Sequence, residues 1–160
     1  REMMLRDSTH SNSSLTFEHY YPGFTLPILD SASGKVSMAY APDEEREMIL
    51  RFMRVSQDID LNYLATAEVS LDVERIRAEG YAVQGRNHFN LTPGKTSSVS
   101  VPIFRNGHYE AALTMVFFVA AMRLSQALEL YLDDLKGTAQ AIRPLPPRGE
   151  GGKRSRAPSV

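Results

Sequence analysis

The feature that most constrains this chain is a pair of alternating segments joined by a short polar turn. Residues 96–104 and 108–117 each alternate small or hydroxyl-bearing residues with apolar ones, and Arg105-Asn106-Gly107 lies between them. Because successive side chains of a strand point to opposite faces, this pattern predicts an antiparallel hairpin whose two faces differ in chemistry. The apolar face predicts helices packed upon it.

Two turns fit the residues between these strands, and they give different registers. A two-residue Asn106-Gly107 turn places Val99 opposite Thr114. A three-residue loop with a left-handed Gly107 places Val99 opposite Leu113 instead. A one-residue slip exchanges the faces of a strand, and only the three-residue loop separates apolar from hydroxyl-bearing side chains. We therefore predict the three-residue loop, with a cavity lined by Ser98, Ser100, Ala112 and Thr114 and with Val99, Leu113 and Met115 facing helices.

Caps and apolar spacing predict the remaining elements. Strand patterns occupy residues 2–6, 14–20, 81–83 and 88–91. Asp30 or Ser31 is expected to cap a first helix that continues through Met38, and Ser70 to cap a third helix that stops at Gly80. A second helix is predicted from Pro42, with a buried stripe of Met48, Ile49, Phe52 and Met53. A long C-terminal helix is predicted over residues 121–142, before Pro144.

Composition excludes several classes of protein. The 160 residues fit a single domain, and the absence of cysteine excludes a disulfide scaffold, a thiolate nucleophile and a cysteine zinc site. The net charge of −1 gives the domain no basic field for nucleic acid. The apolar run at residues 111–122 is too short to span a bilayer. The first residue is Arg1 and no leader pattern follows, so we expect an internal piece of a cytoplasmic protein with no membrane contact.

Motifs for catalysis or metal binding are incomplete. Gly94-Lys95-Thr96 resembles the end of a phosphate-binding loop, but Phe89 stands where that motif needs glycine. Asp58, Asp60 and Asn62 have the spacing of a calcium loop without its glycine and closing glutamate. His10, His19, His88 and His108 show no ligand spacing. We therefore expect no metal, no cofactor and no enzymatic activity.

Several blocks of the sequence, in their order and spacing, resemble the effector-binding domain of IclR-type bacterial transcription regulators. They are Pro27, Ser31-Ala32-Ser33-Gly34-Lys35, Met38-Ala39, Gly80-Tyr81-Ala82, Ser98-Val99-Ser100-Val101-Pro102-Ile103 and Ala111-Ala112-Leu113. Residues 4–10, 15–17 and 116–122 are similar to the MhpR branch of that family, whose members activate hydroxyphenylpropionate catabolism. Between residues 81 and 96 the chain departs from the family pattern, because Gln84, Arg86, Asn87 and His88 replace its acidic residues.

This resemblance implies an α+β, GAF-like fold, with a curved antiparallel sheet, helices packed on its faces and a long C-terminal helix. It implies that residues 1–143 form the effector-binding domain, whose first elements can precede Arg1, and we expect residues 144–160 to form a disordered tail. It further implies a winged helix-turn-helix DNA-binding domain outside this chain, and homodimers or tetramers. The pocket would lie between the sheet and residues 31–34, at positions that carry over to Leu15, Leu26, Ala32, Ser33, Ser98, Thr114 and Val116.

The resulting hypothesis is a sensor that binds a small aromatic carboxylic acid, such as a hydroxyphenylpropionate, and couples it to oligomer geometry and DNA binding. Phe17, Val116 and Phe89 would supply apolar area. Ser31, Ser33 and the backbone N–H groups through Gly34 would bind the carboxylate, with Arg86 or His88 as a charged partner. Ser98, Ser100 or Thr114 would line the pocket, and Ser98 or Thr114 would read a phenolic hydroxyl. The alternatives are an oligomerisation module without ligand and a small enzyme that uses His10 or His88.

Overall fold

A computed structural model describes residues 2–9, 12, 21–56, 71–85 and 94–142. Within them the chain forms β1 (Glu2–Met4), β2 (Thr25–Pro27), α1 (Ala32–Tyr40), α2 (Asp43–Arg54), α3 (Val73–Glu79), β3 (Ala82–Gln84), β4 (Thr96–Arg105), β5 (His108–Phe118) and α4 (Leu124–Ala141). The predicted strands at residues 14–20 and 88–91 and the predicted tail lie outside the described residues. The combination of helices with antiparallel sheet confirms the α+β class that the sequence predicts.

Helix α1 begins at the cap that the sequence indicates and is buried on most of its surface. The Ser31 side chain accepts a hydrogen bond from the Gly34 N–H at 3.0 Å, which fixes the first turn. Ala32, Gly34, Val36 and Met38 are all buried. A Cβ atom on Gly34 would overlap the carbonyl group of Ile28, so the absence of a side chain allows the preceding segment to cross close to the helix.

Helix α2 is amphipathic, but its buried stripe differs from the predicted one. Leu50 and Met53 are buried and pack with Ile28, Leu29 and Met38 in one core cluster. Met48 and Phe52, predicted to be buried, are 68% and 42% exposed. The apolar stripe is therefore rotated toward Leu50, because the core of the domain lies on that side of the helix.

Helix α3 is short, and both of its ends are fixed locally. Asp72 caps it by accepting a hydrogen bond from the Arg75 N–H at 2.9 Å, so the predicted cap at Ser70, outside the described residues, is wrong. Gly80 ends the helix in the left-handed conformation, as the sequence predicts. Ile76, the central residue, is fully buried against α1.

The β4–β5 hairpin confirms the two faces but contradicts the predicted loop. The turn contains only two residues, Asn106 and Gly107, both with positive φ, and Arg105 pairs with His108. An irregularity then shifts the register, so that Ile103 pairs with Ala111 and Val99 with Met115 rather than with Leu113. Without that shift, the two-residue turn would have placed apolar and hydroxyl-bearing side chains on the same face. The extra residue in β5 moves the pairing by one position, and the two kinds of side chain are again on separate faces.

Helices cover both faces of the three-stranded antiparallel sheet, which has the order β3-β4-β5. The core cluster of Val36, Ala39, Ile76 and Ala82, with Ala112 beside it, joins α1 and α3 to the hydroxyl-bearing face. Helix α4 contacts β4 and β5. Since α1 occupies the other face, α4 covers the one that carries Val99 and Val101, which are 0% and 1% exposed. Helices on both faces confirm the predicted arrangement, but α1 and α3 cover part of the face that was predicted to line a cavity.

The ends of the described region complete the domain. Strands β1 and β2, the second of which the sequence did not predict, form a separate antiparallel ribbon with Met3 opposite Leu26. Met3 packs against the cluster that includes Met38. Helix α4 begins at Leu124 rather than at the predicted Ala121, after a turn at residues 119–121.

Candidate functional site

The candidate site lies on the hydroxyl-bearing face of the sheet, which is organised as rows of opposite residues. The middle row contains Ala82, Ser100 and Thr114, and the next row away from the turn, here named the open row, contains Gln84, Ser98 and Val116. Residues directly opposite each other in an antiparallel sheet lie on the same face. Three strands therefore supply neighbouring side chains to one surface beneath α1.

Helix α1 runs along this face, with its N-terminal end directed toward the open row. At its C-terminal end Tyr40 packs edge-on against Phe104, next to the hairpin turn, with ring centroids 5.1 Å apart. One turn earlier Val36 packs with Ala82 of the middle row. Continuing along the strands in the same direction, we expect residues 31–33 to lie toward Gln84, Ser98 and Val116. That these two segments form one pocket stays a prediction.

Hydrogen bonds at the start of α1 leave donors for a ligand. The Ser31 hydroxyl accepts from the Gly34 N–H at 3.0 Å and from the Ser33 hydroxyl at 3.2 Å, and its own proton is free to be donated. The N–H groups of Ala32 and Ser33 precede the first intrahelical hydrogen bond, so the helix offers them no acceptor. Ser31 and Ala32 are nevertheless buried. Such a helix end favours an anion.

Ser100 and Thr114 of the middle row bind each other. Their hydroxyl oxygens are 2.9 Å apart, and Ser100 also donates to the Leu113 carbonyl at 3.2 Å. Ser100 is fully buried and Thr114 partly so. With Ala112 in the core beneath α1, this part of the predicted cavity face is packed.

The open row, in contrast, keeps accessible and unsatisfied groups. Val116 is 41% exposed and Ser98 is half-buried, without a hydrogen bond from its hydroxyl to another described residue. The Gln84 side-chain oxygen is buried and has no hydrogen-bond partner, while its amide nitrogen donates to the Gly85 carbonyl at 3.4 Å. A buried polar atom without a partner costs stability. The sequence analysis did not select Gln84, although strand alternation from Ala82 would have placed it on this face.

Lys35 is a second residue that the sequence analysis did not select. It is only 9% exposed, and its ammonium group donates to the Val83 carbonyl at 3.4 Å. Burial lowers the pKa of Lys35, Asp30 opposes this shift, and Arg75 adds to it. No sequence signal predicts its burial, because a lysine in the first turns of a helix ordinarily reaches solvent.

An aromatic cluster closes the turn end of the same face. Tyr40 stacks on Tyr109 with ring centroids 6.0 Å apart, and Phe104 contacts both rings edge-on. The Tyr109 hydroxyl is buried without a well-formed hydrogen bond. Burial raises the pKa of Tyr109, and Ser37 of α1 partly offsets that rise. The cluster fixes the C-terminal end of α1 against the hairpin.

Some predicted contact residues fall outside this assembly. Leu15, Phe17, Arg86, His88 and Phe89 lie outside the described residues, as do His10 and the calcium-like stretch. Leu26 is half-buried in the separate β1–β2 ribbon. A shallow concavity along α2 involves no predicted site residue; it is lined by Asp43, Glu44, Glu47, Met48 and Arg51.

Neither a metal cluster nor a membrane-spanning helix is present in the part of the chain that the structure describes. In that part, the acidic and histidine side chains form no group of three or more that could hold a metal ion. None of the helices placed there is long and apolar enough to cross a membrane.

A known protein family matches this sequence over most of its length. The profile of the family described as "Bacterial transcriptional regulator IclR C-terminal" matches residues 7–143. This range includes α1, the open row and all of α4.

Solved structures give the same fold. A transcriptional regulator from Rhodococcus sp. RHA1 has a TM-score of 0.62 at 22% identity, over 79% of this chain and 51% of that one. An IclR family transcriptional regulator from Brucella abortus has a TM-score of 0.62 at 19% identity, over 78% and 45%. The inducer-binding domain of the transcription factor PobR from Acinetobacter, a double mutant in complex with 3-hydroxybenzoic acid, has a TM-score of 0.60 at 17% identity, over 84% and 75%. This chain thus spans about half the length of the first two structures.

Proposed function

Since this chain belongs to the family of C-terminal domains of IclR bacterial transcriptional regulators, we propose that it senses a small aromatic carboxylic acid. The observation that carries this proposal is a set of unsatisfied polar groups at the start of α1 and on the open row. Ala32 and Ser33 offer N–H groups without helical acceptors, and the Gln84 oxygen is buried without a partner. A bound ligand would satisfy these groups, which otherwise destabilise the fold.

The carboxylate of the ligand would bind at the start of α1. The N–H groups of Ala32 and Ser33 and the free proton of the Ser31 hydroxyl are all donors, and the helix dipole favours a negative charge there. Gly34 contributes by its lack of a side chain, which allows the close crossing at Ile28 that shapes this end. Arg86 and His88 remain predicted charged partners.

The aromatic ring of the ligand would lie over the open row. Val116 offers exposed apolar area, worth roughly 25 cal/mol per Å² removed from water. The Ser98 hydroxyl, which has no partner among the described residues, would read a phenolic hydroxyl, and the Gln84 oxygen would accept a hydrogen bond from the same group. Phe17 and Phe89 remain predicted ring contacts. The 3-hydroxybenzoic acid in the complex of the related fold combines a carboxylate with a phenol and supports this ligand class.

Ligand binding would then shift an equilibrium between assemblies of the whole regulator. A ligand can do this only by binding one state more tightly than another. Helix α4 exposes Leu130 by 61% and Tyr131 by 43%, which suits a contact between subunits of a homodimer or tetramer. DNA would be bound by an N-terminal domain, with which the net charge of −1 of this chain agrees.

A thermal-shift series tests the proposal. The chain would be heated with 3-hydroxybenzoate, hydroxyphenylpropionates, benzoates and short keto acids over a range of concentrations. A specific ligand at a hundred times its Kd stabilises a protein by about 2.7 kcal/mol, which here corresponds to roughly 5 to 10 °C in Tm. A flat response to every aromatic acid would refute the proposal.

A pair of serine variants locates the site. Ser33→Leu places a bulky side chain at the start of α1 and should abolish the shift while the fold remains. Ser125→Leu makes the same change at an exposed position in the first turn of α4 and should leave the shift intact. A shift that survives in Ser33→Leu would show that the ligand binds elsewhere.

A further inference from the structure

The surroundings of Lys35 are unusual for a lysine. The residue lies on α1 beside the edge of β3, and less than a tenth of it is exposed. Its one hydrogen bond is to the neutral Val83 carbonyl, at a long distance of 3.4 Å. An ammonium group carries three donors, so two of them lack an acceptor among the described residues.

Charges of both signs act on Lys35. Asp30, which is buried, attracts the ammonium group. Arg75 of α3 repels it, although Arg75 is itself bound to Glu79 at 2.6 Å and lies 3.8 Å from Asp72. A buried cation that donates to a neutral carbonyl among the described residues is costly, and a residue of this kind is a candidate for a functional role.

The position of Lys35 relates it to the candidate site. Val83, which holds its ammonium group, directly precedes Gln84 of the open row, and Val83 pairs with Val99, next to Ser98. Lys35 also follows Gly34, in the first turns of the helix whose N-terminal end faces that row. Its charge adds to that of the helix end instead of opposing it.

We infer that Lys35 is the residue that makes this domain select an anionic ligand over a neutral ligand of the same shape. The inference rests on the proposed function and deepens it, because it assigns the charge preference to one side chain. Lys35 acts by direct contact with the carboxylate or through the field that it creates at the site. In both cases its positive charge stabilises a bound carboxylate and gives no such stabilisation to a neutral amide.

The test compares 3-hydroxybenzoate with 3-hydroxybenzamide in isothermal titrations of the wild-type chain, Lys35→Met and Lys136→Met. Lys136 is the matched control, because its ammonium group also donates to a backbone carbonyl, that of Glu79, on the other side of the sheet. The wild type and Lys136→Met should bind the acid at least about tenfold more tightly than the amide. Lys35→Met should lose that preference and keep its affinity for the amide. An unchanged preference in Lys35→Met would overturn the inference and leave the proposed function standing.

A bare carboxylate separates the two proposals. If the wild type binds no aromatic acid of the thermal-shift series, the proposed function fails, and acetate then becomes the probe. A Tm that rises with acetate relative to chloride in the wild type and in Lys136→Met, but not in Lys35→Met, would still support an anion-selecting role. An equal response in all three proteins would overturn it.

A measurement on the wild type covers the case in which Lys35→Met does not fold. The lysines of the sequence are Lys35, Lys95, Lys136 and Lys153, so spectra of protein labelled at the lysine ε-carbon are simple. Lys35→Arg identifies the Lys35 signal and keeps the charge. Saturating 3-hydroxybenzoate, or acetate, should move that signal more than the others, and an unmoved signal would refute the inference.

Discussion

The two faces of β4 are both buried, yet they are built from different chemistry. Toward α4 the strand presents Val99 and Val101, which are almost completely excluded from solvent. Toward α1 it presents Ser100, whose hydroxyl is held by Thr114 and by the Leu113 carbonyl. On the same face, two residues before Ser100, Ser98 is only half-buried and is paired with Gln84, whose side-chain oxygen is unsatisfied.

This difference shows how a single strand can serve stability on one side and recognition on the other. Apolar side chains are stabilised by any close contact that excludes water, because the hydrophobic effect has no direction. Polar side chains need partners with defined geometry, and a face built from them stays unsatisfied wherever a partner is absent. The apolar face therefore contributes a filled core, and the open row keeps groups that a ligand can satisfy.

Gly34→Ala should produce the largest effect, because it separates α1 from the segment that crosses it. The new methyl group would overlap the backbone of Ile28, which cannot rotate away as a side chain can. We expect a loss of about 3 kcal/mol or more of unfolding free energy, measured by urea denaturation. Gly137→Ala, on α4 where a Cβ meets nothing, is the control and should not destabilise the chain. A neutral Gly34→Ala would show that α1 does not approach Ile28 as described.

Val101→Ala and Ser98→Ala test the contrast between the faces directly. Val101→Ala should cost about 2 kcal/mol, because it leaves a cavity beneath α4, and should leave relative ligand affinities unchanged. Ser98→Ala should cost less than about 0.5 kcal/mol and should weaken the binding of a phenolic acid relative to the acid without the hydroxyl. Denaturation and titration of both variants measure these quantities. If the two variants have equal effects on stability and on binding, the two faces of β4 do not differ in role.

Ser31→Ala and Asp72→Ala compare two helix caps with the same local geometry. Each side chain accepts a hydrogen bond from the N–H three residues later, so each variant should lose about 1 kcal/mol of stability. Only Ser31→Ala should also weaken the binding of an aromatic acid, because Ser31 belongs to the proposed carboxylate site. If both variants bind the acid equally well, Ser31 serves only as a cap.

A smaller effect is expected from the pH dependence of Lys35. Because burial lowers its folded pKa below 10.5, the unfolded chain binds the proton more tightly in the window between these two values. The stability of the wild type relative to Lys35→Met should therefore rise with pH through that window. The raised pKa values of Tyr40, Tyr81 and Tyr109 affect both proteins alike and cancel in the difference. Chemical denaturation at several alkaline pH values measures it, and a difference that falls with pH would contradict the burial of the ammonium group.

The sequence predicted the elements well where local signals were strong. Ser31 as a cap and Gly80 as a stop both follow from backbone chemistry that acts within a few residues. The prediction of the hairpin loop failed, because an irregularity in the strand changed which residues pair. The register shift beside Ile103 has no local signature, so the predicted loop was one residue too long although the faces were assigned correctly.

The candidate site includes residues that the sequence had selected. Ser31, Ser33, Gly34 and Ser98 were predicted as ligand contacts, and their binding role stays a prediction. Gln84 and Lys35 were not selected, because their importance depends on the burial of their polar atoms. Burial of this kind is a property of the assembled fold and has no sequence pattern.

The sequence by itself determined the class of fold, the cap at Ser31, the helix stop at Gly80, and the division of β4 and β5 into an apolar and a hydroxyl-bearing face. These features depend on periodicity and on backbone preferences within a few residues, which the chain carries before it folds. Only the tertiary structure decided that α1 covers the hydroxyl-bearing face, that Ser100 and Thr114 bind each other, that Lys35 is buried, and that the side-chain oxygen of Gln84 has no partner. Those outcomes depend on which distant segments come together, because desolvation and pairing arise from the packed neighbours of a residue.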